Sequence, residues 1–329
     1  MNIGISVTKS EVRLSMKKAS EYKEATIRGY DATSYSKMPT SDLENLKSEL
    51  LKCISELNTS NERISSIVVS FPIAFTFMEL LDLKKLFQAM GIEVNRYVDH
   101  GMASGLVAAS IEPKDFVGYV CCAGHADNCT ELSLFCIDDG VVEAIQNTTH
   151  SVDVEPHSKT ICDQLDAWKN DYDLQTLYCQ SAETWLLDCG FVAVGELEVK
   201  TVLDEYATSR GALLQAEILN GVEGRWLPME IFPDSILCVV NGEDEVELLQ
   251  ANVTIPTARA VDVSTISPDW TEIELISVNN STGNRSSMFK TAFASLPESR
   301  MVKASIDINA NKMVSIVIDT AGSRIELSY

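Results

Sequence analysis

Positive charge is scarce in this sequence: 26 Lys and Arg stand against 48 Asp and Glu, a formal charge of -22. An approaching nucleic-acid or anionic-lipid phosphate would meet repulsion instead of releasing counterions, which excludes both as ready partners. No C-x-x-C pair occurs among the nine cysteines, and the four histidines (His100, His125, His150, His157) never fall at a zinc-like spacing with a cysteine. No metal site is therefore expected. The cysteines sit mostly inside apolar runs, as reduced, buried thiols of a cytosolic protein do. No apolar stretch reaches the roughly 18 residues that span a bilayer. The charges of the opening MNIGISVTKSEVRLSMKK follow its short apolar stretch, unlike a secretory signal. The expected protein is soluble and cytoplasmic. Its Asn-x-Ser/Thr sequons at Asn58, Asn128, Asn147, Asn252 and Asn280 are accidents of a composition rich in Ser, Thr and Asn.

What is present is pattern. A chain of 329 residues suits two domains, at roughly 100–200 residues each. Ile3 to Met16 alternates like a strand or hairpin arm. Ser41 to Leu57 places Leu43, Leu46, Leu50, Leu51, Ile54 and Leu57 at helical spacing. Ile64 to Ser70 is a β-branched run of buried-strand length, followed by a helix over Thr76 to Met90 closed by Gly91, a short strand from Glu93 to Val98, and a helix of small residues from Asp99 to Ser110. A second cycle has strands at Phe116 to Cys122, Thr130 to Asp138 and Val141 to Gln146, with the hairpin signal Asp139-Gly140 between the last two. Ile161 to Trp168 reads as helix, Leu174 to Gln180 as strand, Glu183 to Leu187 as the start of a helix, and Thr208 to Leu219 as a helix ended by Asn220-Gly221. Strands alternating with helices predict an α/β domain. After the apolar Arg225 to Ile231 the helical signals stop, and Ser235 to Tyr329 reads as an all-β sandwich.

Asn252 to Thr257 reads NVTIPT, and the chain closes with IDINANKMVSIVIDTAGSRIEL, two β-forming stretches around an Asn-Ala-Asn turn. That pairing resembles the peptide-binding β-sandwich of the Hsp70 chaperones, whose segments run close to NTTIPT and IDANGILNVSA. Upstream, SSIVVSFPIAF, GIEVNRYVDHGMASGLVAA, LSLFCIDDGVVEAI and SRGALLQAEILNG are similar to stretches of that family's ATPase domain. The resemblance implies a trimmed, actin-like (ribonuclease H-like, duplicated) domain over residues 1–224. It further implies a hydrophobic interdomain linker over 225–231 that docks on a neighbouring domain, and a substrate-binding β-sandwich without a helical lid over 232–329. The peripheral lobes are expected to have shrunk to about Lys17–Thr59 and Asn147–Asp173.

The family's phosphate-handling residues are largely missing. Where its first phosphate loop carries a metal-shell Asp and a Gly-Thr-Thr turn, this chain has Ser6 and then Val7-Thr8-Lys9. The second loop, Asp-Leu-Gly-Gly-Gly-Thr in the family, needs glycines so that backbone N–H groups can approach phosphate. Its counterpart is Cys121 to Cys129, with only Gly124 kept and Asp127 aiming negative charge at the pocket; Glu131 lies near another family carboxylate. The connecting Asn-Glu-Pro-Thr segment is matched by Asp99-His100-Gly101-Met102. His100 has no nucleophile or orienting partner near it in sequence, which favours a helix-start or interface role over that of a catalytic base. The adenosine pocket's glycines are replaced by Cys179 to Trp185. With phosphate donors and metal-holding acids gone, phosphoryl transfer loses its means: no catalytic residue, cofactor or metal is expected.

In the β-sandwich, the resemblance puts Val263, Ile266, Ile273 and Leu275 on the peptide pocket's strands, with Cys238 and Asn241 on the opposite side of the cleft. Strand alternation is equally satisfied by ordinary core residues at those positions. The expected function is capture of extended hydrophobic peptides, or of a dedicated protein partner, without ATPase. The alternatives are an ATP-dependent Hsp70-type chaperone that binds Mg and ATP at an unconventional site, or an actin-like assembly module.

Overall fold

The computed structural model of the chain describes residues 1–30, 38–152, 157–180, 197–263, 272–280, 283–292, 302–320 and 323–328. It is a mixed α/β structure with five helices among those residues and strands in several sheets. Two compact units share the chain: Met1–Phe75 with Asp82–Met229, and Thr76–Leu81 with Glu230–Tyr329. The boundary at Met229 falls inside the expected linker.

The first half of unit 1 runs β1 (Asn2–Val7), β2 (Glu11–Lys18), β3 (Glu21–Arg28), α1 (Thr40–Leu57), β4 (Ser66–Phe71), α2 (Phe77–Ala89), β5 (Arg96–Asp99) and α3 (His100–Ile111). Helix α1 buries Leu46, Leu50, Ile54 and Leu57, one stripe at helical spacing. Every residue of β4 is buried, as a parallel strand covered on both faces requires. The sheet order is β3-β2-β1-β4-β5, with β2 antiparallel to both neighbours and β4 parallel to both. Strand β3 has no counterpart in the sequence reading, because EYKEATIR scarcely alternates and is mostly half-exposed.

The second half runs β6 (Gly118–Ala126), β7 (Cys129–Asp138), β8 (Val141–Ser151), α4 (His157–Tyr172), β9 (Leu174–Gln180), β10 (Glu198–Leu203) and α5 (Ala207–Leu219). Its sheet repeats the first in order and sense: β8-β7-β6-β9-β10, with β7 antiparallel and β9 parallel to their neighbours. The β7–β8 turn uses Asp139 and Gly140 at φ 43° and 83°, the left-handed pair that a two-residue hairpin demands. Beyond β8 the sheet gains β11 (Leu227–Met229), paired in parallel with Val141–Glu143, so the expected linker is in part a strand. Strand β8 continues to Ser151 and α4 follows, where a reduced lobe was expected. The expected helix start at Glu183–Leu187 lies outside the described residues.

Helices α3 and α5 hold the halves of unit 1 together. Helix α5 packs on β1 and β4, and α3 packs on β7 and β8. Small residues permit it: a Cβ on Gly211 would lie 1.9 Å from Ala103 O, and one on Gly4 would lie 2.0 Å from Ser209 O. No described helix is long and apolar enough to cross a membrane.

Unit 2 has two four-stranded antiparallel sheets. One is β14-β13-β17-β18, from β13 (Asp234–Val240), β14 (Asp244–Leu249), β17 (Glu272–Asn279) and β18 (Arg285–Ala292). The other is β16-β19-β20-β21, from β16 (Thr257–Asp262), β19 (Val302–Ile308), β20 (Val314–Thr320) and β21 (Ser323–Ser328). A short pair, β12 (Ile231–Phe232) with β15 (Val253–Thr254), adjoins them. One apolar cluster draws on both sheets and on Phe77 and Leu81. Beside it Asp234, 2 % exposed, accepts from Ser277 Oγ at 2.7 Å and Asn279 Nδ2 at 3.1 Å. Burial raises its carboxyl against the opposing pull of those donors, of the Phe77 amide and of Lys312. Lys312 itself is buried, with Nζ 3.5 Å from Glu230 Oε2. Composition alone assigns a lysine in such a turn to solvent.

Candidate functional site

The cavity of interest lies in unit 1, where the β1–β2 and β6–β7 hairpins meet the first turns of α3 and α5. Thr8, Arg13, Ile73, His100, Gly101, Gly124, His125, Glu131, Ala207 and Thr208 are among its lining residues. Asp99 caps α3 by accepting from the Met102 amide at 2.7 Å, which fixes His100 as the first helical residue.

Around His100 the chain assembles partners that are remote in sequence. Its Nδ1 lies 3.2 Å from Glu131 Oε2, its Nε2 lies 3.1 Å from Ser6 Oγ, and Ser6 Oγ lies 2.8 Å from Thr208 Oγ1. Glu131 Oε1 also accepts from the Ile73 amide at 2.5 Å. A carboxylate can only accept, so Nδ1 is the donor to Glu131, while Nε2 shares a hydrogen bond with the Ser6 hydroxyl, which shares another with Thr208. Ser6, His100 and Glu131 are all buried. None of these partners is near His100 in sequence: they are supplied by β1, β7 and the first turn of α5, while His100 itself starts α3. Glu131 is the acceptor that organises the cluster.

The two hairpins meet directly. Asp127, at φ 55°, accepts from the Lys9 amide at 2.9 Å. Thr8 Oγ1 accepts from the Glu11 amide at 3.2 Å and donates to Glu11 O at 3.3 Å. A threonine side chain thereby closes the turn. Gly101 lies so close to β7 that a Cβ there would come within 2.1 Å of Ser133 Oγ, whereas one on Gly124 would meet nothing within 4 Å. What is left is a cavity of about 20 Å³, room for about one water. Among the described residues no three His, Cys, Asp or Glu side chains gather as a metal-binding group. Residues Ser181–Trp185 of the adenosine-pocket counterpart lie outside the described ones.

In unit 2, Cys238, Val263, Ile273 and Leu275 are 1, 6, 1 and 0 % exposed and belong to the central apolar cluster. Cys238 pairs with Leu275, and Val240 with Ile273, in the β13–β17 register. Burial pushes the Cys238 thiol up to about 12. Asn241 is exposed at the end of β13, its Oδ1 accepting from the Glu272 amide at 3.2 Å. Ile266 lies outside the described residues. No protein-family model and no curated protein matches this chain.

Proposed function

We propose that this chain is a nucleotide-independent relative of the Hsp70 chaperones. In this reading an actin-like domain with a cleft filled from within is joined to a β-sandwich that binds extended apolar polypeptide or a dedicated protein partner. One observation carries the loss of nucleotide: Ser6, His100, Glu131 and Thr208 bond to one another, and Asp127 to Lys9, leaving about 20 Å³ between the hairpins. A triphosphate needs backbone donors, a metal-holding acid and far more room than one water takes. The residues present do not fit ATP with Mg. The repeated sheet order, with α3 and α5 packed against each other, supports the duplicated domain.

The sandwich half is supported by β16 and β19. The first begins at the end of NVTIPT, the second leads into the Asn309-Ala310-Asn311 turn, and they pair as neighbours from Thr257 with Ile308 onward. Cys238, Val263, Ile273 and Leu275 serve here as core. Polypeptide then has the exposed Asn241 turn and the sheet-ending strands β18 and β21 to engage, where an extended chain can add through main-chain bonds.

Two titrations test the reading. Calorimetry with Mg-ATP and Mg-ADP should show no binding tighter than about 100 μM, about 5.5 kcal/mol. Fluorescence anisotropy with a Leu-centred peptide should show saturable binding that ATP leaves unchanged. Tighter nucleotide binding overturns the filled cleft, and a flat peptide titration overturns polypeptide capture.

A further inference from the structure

The five-stranded sheet of unit 1 ends at β3, which pairs with β2 alone among the described residues. The β2–β3 turn is the two-residue Ala19-Ser20, with Ala19 at φ 55° and Lys18 opposite Glu21. A turn of that length closes on a hydrogen-bonded pair, after which bonded and non-bonded pairs alternate. Gly29 N donates to Ser10 O at 3.1 Å, which keeps that phase to the far end of the hairpin. The N–H and C=O groups of Tyr22, Glu24, Thr26 and Arg28 therefore point away from β2, and among the described residues no backbone group meets them. Such an edge is a template for another strand. Charge selects which strand. In a chain of net charge -22, residues 1–75 carry ten Lys or Arg against nine Asp or Glu. Lys17 opposite Tyr22, Lys18 opposite Glu21 and Lys23 opposite Met16 put three lysines on three successive rungs, with Glu21 the one acid among them. Their contacts are not carboxylates: Lys18 Nζ donates to Ser60 Oγ at 3.5 Å, Lys23 Nζ donates to Thr59 Oγ1 at 3.4 Å, and Lys17 Nζ lies 5.8 Å over the Tyr22 ring. Other acids close by are engaged, Glu24 and Asp204 by Arg210, and Glu11 by Arg13 and Arg28. Charges farther off are screened beyond about 8–10 Å.

We propose that β3 is a docking edge for an extended acidic segment of a partner protein. The segment adds a sixth strand through main-chain bonds and sets carboxylates beside Lys17, Lys18 and Lys23. Main-chain bonds supply the affinity and the lysines the selectivity. A second copy of this chain fits less well, because two bodies of net charge -22 repel each other.

The test is amide hydrogen exchange of the full chain, followed by NMR, with an end-capped peptide alternating Glu and Val and a Ser-Val peptide as the neutral comparator. The acidic peptide should bind saturably, slow exchange at Tyr22, Glu24, Thr26 and Arg28, and bind about tenfold tighter than the comparator. Lys17→Gln combined with Lys18→Gln, both at exposed positions, should weaken it about fivefold while keeping wild-type circular dichroism. Lysines that only guard the edge against other strands would leave the variant binding as well as the wild type, which overturns the assignment. Absence of saturable binding, equal binding of the two peptides, protection confined to β18 or β21, or a dimer of the full chain that protects the same four amides would each overturn it too.

Discussion

At Glu131 one carboxylate accepts from the Ile73 amide and faces His100 Nδ1, with 5 % of its side chain exposed. Removing it leaves a buried amide and a buried imidazole N–H with nothing to accept them. Breaking such an arrangement costs about 3 kcal/mol, because the loss includes the desolvation of the groups left behind. Glu131→Ala is therefore expected to lower stability in urea unfolding by about that amount, and Glu131→Gln, which keeps one acceptor oxygen, by clearly less. A neutral Glu131→Ala would mean that the cluster adds nothing to the packing of β1, β7 and α3. The identity of each member was readable in the sequence, but their meeting was not. Ser6 and His100 are separated by 94 positions and His100 and Glu131 by 31, and no local periodicity encodes such pairings.

Helices α3 and α5 work by what they lack. Helix α3 is buried nearly all round by His100, Gly, Ala, Ser, Met and Leu side chains, so it has no polar face, and its core-ward stripe cannot be picked from the letters. At Gly211 the nearest obstacle is the Ala103 carbonyl, a backbone group that cannot rotate away. Gly211→Ala should destabilise the chain by about 3 kcal/mol or more, read from the thermal midpoint. Gly124→Ala, at the glycine the family resemblance would single out, meets open space and should be close to neutral. Equal effects would refute the close approach of the helices. Amphipathic α1, the apolar run of β4 and the Asp139-Gly140 turn were all legible, since each is fixed by its own residues.

Across the whole molecule the division into two units runs through α2: Thr76–Leu81 counts with Glu230–Tyr329. Phe77 and Leu81 sit in the core of unit 2, and the Phe77 ring lies 6.1 Å from Phe232 in an edge-on contact. Each such side chain gains about 1.5–3 kcal/mol from burial. A fragment of residues 1–229 would carry both without their core. It is expected to bind a hydrophobic dye more strongly than the full chain, and Phe77→Ser with Leu81→Ser should remove the excess. A fragment that binds no more dye than the full chain would count against this division.

By itself the sequence determined most elements of unit 1, though not β3 or β10, the change from alternating helices and strands to strands alone near residue 230, and the scarcity of glycine at the β1–β2 and β6–β7 hairpins. These follow from local rules: side-chain periodicity, turn chemistry and the conformational freedom that only glycine has. The tertiary structure alone decided that Ser6, His100, Glu131 and Thr208 would close on each other, that Lys312 would be buried against Glu230, and that Cys238, Ile273 and Leu275 would be core. Strand alternation gives a side chain's face but not what covers that face, and a polar residue's partner is set by which distant backbone packs beside it.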